Sequence, residues 1–277
     1  MIKLSVVITG RDDGYGDELL TPYNALTPDT FCFRMKRTIQ NNLSLLESKN
    51  IDVQYVVVDW SPINEKTLDK NEYTKIALQN KKVKHVIVPP ESVSERGWNS
   101  KNFYEYYAKN VGIRNSDGEY ILVTNPDILF TDEICNEIAD VVNTSNSNNY
   151  YRPHSRKDVD NDLNLLAEGF SFPKTGLFVD EVLGTPASGD FVLTKKENFI
   201  DKAMGYNETR NTNANMQQTN LDGGIILNLF KAGIQPAKLN NSILHLDHAK
   251  PHQKDYGSTM HEYVNPPHWG LLKVIIN

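Results

Sequence analysis

The 277-residue chain is short of three things: cysteine, long apolar runs and an excess of positive charge. Its two cysteines, Cys32 and Cys135, lie far apart without Cys-x-x-Cys spacing, so they indicate neither a disulfide framework nor a structural zinc site. The absence of any run of about 18 apolar residues argues against a transmembrane segment. A formal net charge of −6 argues against a protein that binds nucleic acid through clustered Lys and Arg.

The apolar start of the chain is too short to form a signal peptide. Together with the low cysteine content, this predicts a reduced, cytoplasmic setting. Any membrane contact would then be peripheral, at the inner face of the membrane. The candidate for it is the basic group Arg34, Lys36 and Arg37, for which a solvated helix face is the alternative interpretation.

Four short apolar runs, rich in β-branched residues, predict buried strands in the first half of the chain. They are Leu4–Thr9, Val53–Asp59, Val83–Val88 and Tyr120–Thr124. Apolar residues that recur every three to four positions predict helices over 31–46 and 103–114. Strands joined by such helices form a parallel sheet, whose ligands bind at the carboxyl ends of the strands. We therefore expect an α/β fold with its site just after the strands.

The second half has a less regular pattern. Residues 143–185 contain polar residues, Pro and Gly with little periodicity, and we interpret them as a lid or a second substrate-binding region. Regular signals return as strands over 191–194 and 242–246 and as helices near 195–204 and over 221–232, the last ending before Gly233. The glycine-containing loop 10–28 is long for a strand-to-helix connection and is a candidate ligand-binding loop.

Polar residues stand at the ends of the first two predicted strands. Thr9 and Arg11 lie at the end of the first strand, and Asp59 lies at the end of the second. A nucleotide bound at this edge needs an acceptor for its base or ribose, which Asp59 offers, and a cation for its phosphates, which Arg11 offers. We assign all three residues to nucleotide binding; the alternative is that acidic residues such as Asp59 simply end the strands.

The most specific pattern spans residues 110–127. It reads Asn-Val-Gly-Ile-Arg at 110–114 and Gly-Glu-Tyr-Ile-Leu-Val-Thr-Asn-Pro-Asp at 118–127. This segment resembles the GT-A glycosyltransferases, particularly family 2, in which an Asn-x-Gly helix precedes a strand that ends in an Asp-x-Asp element. The resemblance implies that Asp127 binds a divalent metal. It also implies that Asn110, Arg114 and Asn125 belong to the donor site.

Asn125 stands where the family usually has the first Asp, and an amide offers a metal only a neutral oxygen. One carboxylate can suffice, because Mg²⁺ or Mn²⁺ keeps waters and substrate phosphates as further ligands. The alternative is that residues 125–127 form a turn without a metal.

The segments around Asp190 and Asp222 resemble the acceptor-side half of the same enzymes. They read Ala-Ser-Gly-Asp-Phe at 187–191, Gly-Tyr-Asn-Glu at 205–208 and Leu-Asp-Gly-Gly at 221–224. By this resemblance Asp190 contacts the donor sugar and Asp222 is the catalytic base. A carboxylate can take the proton that the acceptor hydroxyl loses in an inverting transfer. An Asp in the first turn of a helix also complements the helix dipole, which is the alternative for Asp222.

Two late histidines, His245 and His248, are the remaining metal-ligand candidates, and their placement resembles that of a metal-binding histidine in several GT-A families. Side chains three residues apart point to opposite faces of an extended strand, so both can bind one ion only if the chain turns there. His248 would emerge at the strand's end and is the preferred ligand, with His245 second. Histidines that are hydrogen-bonded for structural reasons are the alternative.

The strand pattern and this resemblance together imply one GT-A-type domain over residues 1–277, with a Rossmann-like, mostly parallel sheet. Its parts would be a nucleotide-binding half (1–130), an acceptor-side half (131–250) and a C-terminal tail or flap (251–277). The expected activity is transfer of a sugar from a nucleotide sugar, with UDP-sugars slightly favoured, to a glycan or lipid-linked glycan. We expect it to be metal-assisted and inverting, and to serve a process such as bacterial surface polysaccharide synthesis.

Two other functions remain open at this point. A sugar-phosphate nucleotidyltransferase needs a glycine-rich, basic loop after the first strand, whereas this loop carries Asp12, Asp13, Asp17 and Glu18. A non-catalytic carbohydrate-binding protein would leave Asp127 and Asp222 without a role.

Overall fold

The computed structural model of the protein describes residues 2–13, 30–144, 148–171, 190–208, 221–248 and 264–277. The described strands are β1 (Leu4–Gly10), β2 (Val53–Trp60), β3 (Val83–Val88), β4 (Tyr120–Thr124), β5 (Ile128–Leu129), β6 (Asn149–Arg152), β7 (Ser155–Val159), β8 (Leu165–Ser171), β9 (Phe191–Lys195), β10 (Gln235–Lys238), β11 (Ile243–Leu246) and β12 (Ile275–Ile276). The described helices are α1 (Phe31–Ser48), α2 (Thr74–Leu78), α3 (Pro90–Glu95), α4 (Glu105–Arg114), α5 (Asp132–Thr144) and α6 (Leu221–Lys231). The helix predicted near 195–204 takes the form of a π-helical turn at Asn198–Lys202.

The larger sheet has the parallel centre that the sequence predicts. Its order over the described strands is β10-β6-β9-β4-β1-β2-β3-β12. β1 pairs in parallel with β2 and β4, and β2 pairs in parallel with β3. Nearly every side chain on these four strands is buried, because helices cover both faces of the sheet. The mostly parallel α/β fold is therefore confirmed.

The helices begin and end at residues with a clear local cause. α1 begins at Phe31 because the Thr30 hydroxyl accepts a hydrogen bond from the Phe33 backbone N–H at 3.2 Å. α6 ends just before Gly233, whose φ of 81° is accessible to glycine without steric cost. Apolar residues of α1 and α5 pack on one face of the sheet, and those of α4 and α6 pack on the other.

A second sheet, which the sequence pattern did not predict, has the order β5-β11-β7-β8 over the described strands. It begins with β5, four residues after the carboxyl end of β4. β11 pairs antiparallel with β5 and in parallel with β7, which places His245 opposite both Ile128 and Asp158. The segment interpreted as an irregular lid therefore includes three strands, with β6 in the larger sheet and β7 and β8 in the second.

The C-terminal segment packs against α4. Trp269 is fully buried, and the guanidinium carbon of Arg114 lies 3.9 Å from the centre of its ring. Arg114 Nε also donates a hydrogen bond to the Trp269 carbonyl at 3.1 Å. β12 then pairs with β3 at the edge of the larger sheet. The described part of the predicted tail is thus a packed part of the fold, and residues 251–263 lie outside the described residues.

The basic residues near the start of α1 differ in exposure. Arg34 is only 1% exposed, and Arg37 donates a hydrogen bond to the Asn161 carbonyl. Lys36 is partly exposed. A peripheral membrane contact through these three residues stays a prediction. Across the part of the chain that the structure describes, the search for a helix both long and apolar enough to cross a membrane finds none.

Candidate donor and metal site

Asp127, His245 and His248 converge beyond the carboxyl end of β4. Asp127 Oδ2 lies 3.0 Å from His248 Nε2 and 3.6 Å from His245 Nε2. One ligand atom from each residue lies within 4.8 Å of the other two. The sequence predicted these three residues as metal ligands, and the structure brings them together.

The backbone explains why both histidines reach Asp127. The Leu246 N–H donates to the Asp127 carbonyl at 2.9 Å, and the Asp247 N–H donates to the Val159 carbonyl at 2.9 Å. β11 ends at Leu246, so His248 lies two residues beyond the last residue of the strand. The preference for His248 over His245 assumed an extended strand that continues to His248, whereas both rings approach the same carboxylate.

The three side chains fit a divalent cation. Ligand atoms that share an ion at about 2.1 Å lie roughly 3.0–3.4 Å apart at right or tetrahedral angles, close to the two measured separations. The second carboxylate oxygen of Asp127, Oδ1, is buried and has no hydrogen-bond partner among the described residues. The carboxylate suits hard ions such as Mn²⁺ and Mg²⁺, whereas the two imidazoles suit first-row transition metals, so this mixed set fits Mn²⁺ better than Mg²⁺.

Electrostatics couple the three groups. Burial raises the pKa of Asp127, but the charge of His245 and contacts with both imidazoles outweigh it and hold this pKa well below its usual range. Burial lowers the pKa of His245, but the charge of Asp127 and contacts with Asp127 and Asp158 outweigh it and raise this pKa to about 9. A cation would compete with protons for these nitrogen and oxygen atoms.

Asn125 and Asp190 form a second polar group beside the first. β9 begins opposite Thr124, so Asp190 comes next to Asn125 just beyond the two strand ends. The Asn125 amide donates from Nδ2 to Asp190 Oδ1 at 2.9 Å, and its Oδ1 accepts from Lys109 Nζ at 2.8 Å. Lys109 has no exposed surface and also contacts Glu105 at 2.6 Å.

These contacts give a physical reason for Asn at position 125. An Asp there would lack the N–H that the Asp190 carboxylate accepts, and it would place two carboxylates in contact. We therefore expect Asn125→Asp to lower the free energy of unfolding by about 1–3 kcal/mol, the usual cost of leaving a buried polar group unpaired. Urea unfolding followed by two spectroscopic probes measures this loss.

The matched control for that prediction is Asn136→Asp, because Asn136 donates to Asp132 at 3.2 Å on the exposed surface of α5. Solvent replaces the lost contact there, so the control should change stability by less than about 0.5 kcal/mol. A stability gain in Asn125→Asp would contradict the assigned role of Asn125.

Sequence reasoning missed two residues that join the two groups. Arg156 NH1 lies 2.7 Å from Asp190 Oδ2, and Arg156 Nε lies 3.2 Å from Asp158 Oδ1. Asp158 Oδ1 also lies 2.9 Å from His245 Nδ1. Both residues are on β7, and polar residues fill most of its sequence, Ser-Arg-Lys-Asp-Val, so it carries no apolar strand signal.

The residues predicted at the ends of β1 and β2 are buried among protein partners. Arg11 donates from Nε and NH2 to Asp13 Oδ2 at 2.9 and 2.7 Å, and its guanidinium carbon lies 5.7 Å from the centre of the Phe103 ring. Asp59 has no exposed surface and accepts from the Leu68 N–H at 2.7 Å. Burial raises its pKa, against contacts with His85 and Leu68. Thr9 is 2% exposed within β1. Donor contacts by Thr9, Arg11 and Asp59 stay predictions.

Asn110 and Arg114, both on α4, are engaged with later parts of the chain. The Asn110 amide donates to the Tyr206 carbonyl and to Glu208 Oε1, each at 2.8 Å, and accepts from the Tyr206 N–H at 2.7 Å. Arg114 stacks on Trp269 and donates to its carbonyl. These contacts tie α4 to the segments that follow β9, and the donor role of Asn110 and Arg114 stays a prediction.

Asp222 lies in the first turn of α6, and its side chain is outside the described residues, as are most of loop 10–28 and residues 172–189. The assignment of Asp222 as the base is therefore still a prediction.

The fold is similar to that of solved glycosyltransferase structures. The structure of S. aureus TarS 1–349 is 15% identical, with a TM-score of 0.55 over 88% of this chain and 60% of that chain. The same protein in complex with UDP-GlcNAc gives a TM-score of 0.57 at 12% identity, over 92% and 61% of the two chains. No protein-family model matches the chain, and no curated protein matches its sequence.

This likeness confirms the GT-A-type fold that the sequence resemblance implied. The chain spans about three-fifths of the length of the TarS 1–349 structures. It spans 37% of a longer TarS structure, which is 13% identical with a TM-score of 0.52.

Proposed function

We propose that the protein is a glycosyltransferase that moves a sugar from a nucleotide sugar to a hydroxyl acceptor. The observation that carries this proposal is the convergence of Asp127, His245 and His248 beside Asp190 at the carboxyl end of β4. Ligands of parallel α/β sheets bind at this edge. The fold similarity to TarS, one of whose structures contains UDP-GlcNAc, supports a nucleotide-sugar donor.

Asp127, His245 and His248 would hold Mn²⁺ or Mg²⁺ in this proposal. When bound, the ion would neutralise charge on the diphosphate of the donor. Asp190 and Asn125 lie next to this cluster and offer oxygen and nitrogen atoms to the hydroxyl groups of the donor sugar. Lys109 holds Asn125 in place, and Arg156 holds Asp190.

Asp222 is the proposed base of an inverting transfer. Its carboxylate takes the proton of the acceptor hydroxyl as that oxygen bonds to the anomeric carbon, and the bond from that carbon to the diphosphate oxygen breaks. The nucleoside diphosphate leaves with the electron pair. Its position in the first turn of α6, followed by Gly223 and Gly224, supports this role because two glycines leave room for a sugar to approach.

Asp222→Asn is expected to keep donor affinity and to lower turnover by about 10²-fold or more, the usual scale for a lost general base. Steady-state kinetics with a saturating donor measures this loss. Turnover within a few fold of the wild type, or a product with retained anomeric configuration, would remove Asp222 from the mechanism.

The wider setting of the reaction is part of the same proposal. We favour a UDP-sugar as donor, a glycan or lipid-linked glycan as acceptor, and a role in bacterial surface polysaccharide synthesis at the cytoplasmic side of a membrane. One domain, with a nucleotide-binding half, an acceptor-side half and a C-terminal segment, would serve this activity.

The contacts of Arg11 disfavour the nucleotidyltransferase alternative. A triphosphate needs unpaired cations after the first strand, whereas Arg11 is paired with Asp13 and stands beside Asp12. A carbohydrate-binding protein without catalysis needs no buried carboxylate with two imidazoles.

A thermal-shift panel of UDP-, GDP- and CMP-sugars, each with and without Mn²⁺, tests donor binding. A ligand that binds only the native state raises the apparent stability. We expect one nucleotide class to raise the melting temperature selectively, and to do so more strongly with Mn²⁺. The proposal would be contradicted if all the nucleotide sugars raised the melting temperature equally, or if none of them raised it.

A further inference from the structure

Asp158 contacts Nδ1 of His245, the ring nitrogen that is not directed at Asp127. Asp158 on β7 lies directly opposite His245 on β11 in the parallel pairing of the two strands. Side chains at opposed positions project from the same face of a sheet and contact one another. Asp158 Oδ1 accordingly lies 2.9 Å from His245 Nδ1.

The two ring nitrogens of His245 therefore face different carboxylates. Nδ1 faces Asp158, while Nε2 lies 3.6 Å from Asp127 Oδ2 in the metal-ligand cluster. A neutral imidazole carries one N–H and one lone pair, and the hydrogen bond to one nitrogen decides which of them is free. An N–H on Nδ1 that donates to Asp158 leaves the lone pair of Nε2 directed at the cluster.

Arg156 connects Asp158 with Asp190, the residue proposed to contact the donor sugar. Its Nε lies 3.2 Å from the same Asp158 oxygen, and its NH1 lies 2.7 Å from Asp190 Oδ2. A planar guanidinium fixes the separation of the groups that it contacts. The same guanidinium is therefore hydrogen-bonded to Asp190, which lies beside Asn125, and in ion-pair contact with Asp158, which lies beside His245.

We propose that Asp158 is a positioning residue that orients His245 for metal binding through Nε2, and that Arg156 fixes Asp158 relative to Asp190. This inference rests on the proposed metal-assisted function. A carboxylate behind a metal-binding imidazole fixes the ring and raises its basicity, and loss of such a partner typically weakens metal binding by about 10–100-fold. Neither Asp158 nor Arg156 needs to touch the substrate in this role.

The test is calorimetric titration of Mn²⁺ into the full chain. Asp158→Asn keeps the size of the side chain and removes its charge, and it should weaken Mn²⁺ binding by about 10–100-fold. Asp162→Asn is the matched control, because it makes the same change of charge four residues away at an exposed position. It should leave the affinity within about twofold of the wild type, since exposed charges interact weakly.

A second measurement uses the wild type and so does not depend on how a variant folds. NMR of the protein with isotope-labelled histidine and bound Cd²⁺ identifies which nitrogen of His245 bonds to the metal. We expect coupling of the metal to Nε2 and a proton retained on Nδ1. Coupling to Nδ1 would overturn the inference, because Asp158 could not then hold that nitrogen.

The two measurements distinguish a failure of this inference from a failure of the proposed function. Equal Mn²⁺ affinity in Asp158→Asn and Asp162→Asn, with wild-type binding intact, would overturn the role of Asp158 and leave the proposed function standing. Failure of the wild type to bind Mn²⁺ would overturn the metal centre and this inference with it, whereas the donor panel would still report on nucleotide-sugar binding.

Discussion

Asp127→Asn is expected to lower glycosyl transfer by about 10²- to 10³-fold or more, the scale seen when one charge-stabilising group is removed from an active site. The reason is that Asp127 supplies the carboxylate of the proposed metal site, and an amide offers only a neutral oxygen to a hard cation. Initial rates measured with saturating Mn²⁺ and donor give this loss directly.

Removal of the metal shows whether Asp127 acts through the ion or whether its carboxylate contacts the donor directly. Asp127→Asn should weaken donor binding in the presence of Mn²⁺. In the presence of a chelator, the variant and the wild type should bind the donor equally, because the carboxylate acts through the ion. Asp140→Asn on the exposed surface of α5 makes the same change of charge and should leave transfer unchanged. Wild-type transfer that persists at full rate in the chelator would rule out the metal role.

Trp269→Ala is expected to lower the free energy of unfolding by about 3–5 kcal/mol, as is typical for truncation of a buried aromatic side chain. Trp269 has no exposed surface and packs in the same core as Tyr206 and Ile113. Its loss leaves a cavity and removes the ring on which the Arg114 guanidinium is stacked. Urea unfolding monitored by circular dichroism and fluorescence measures the change, provided that the two transitions coincide.

Leu271→Ala is the matched control for this effect, because Leu271 lies two residues further along and is 53% exposed. It should change stability by less than about 0.5 kcal/mol. Similar small losses in both variants would show that the C-terminal segment does not contribute to the core through Trp269.

The first half of the fold could be predicted because its signals are local. β1 to β4 are runs of apolar residues buried on both faces, and such runs stand out from any surrounding sequence. β7 could not be found in this way, since Arg156 and Asp158 are polar on the face that forms the site. Only its pairing with β11 and β8 reveals it as a strand.

The candidate site also combines residues that a local motif predicts with residues that only long-range pairing brings together. Asp127 could be identified from a short motif, and its position after β4 agrees with that prediction. The approach of both histidines depends on where β11 ends, which is set by long-range backbone hydrogen bonds from Leu246 and Asp247 that no local pattern encodes. The contact between Asn125 and Asp190 likewise depends on the antiparallel pairing of β9 with β4.

Identification of the leaving group shows directly whether the protein transfers a sugar from a nucleotide sugar. The protein is incubated with Mn²⁺, an acceptor preparation and the nucleotide sugar that stabilises it best, and the phosphate-containing products are identified by mass spectrometry. The proposed function predicts a nucleoside diphosphate, which the wild type forms about 10²-fold or more faster than Asp127→Asn. Pyrophosphate released in a parallel incubation with a nucleoside triphosphate and a sugar phosphate, or no nucleotide product with any donor that binds, would contradict it.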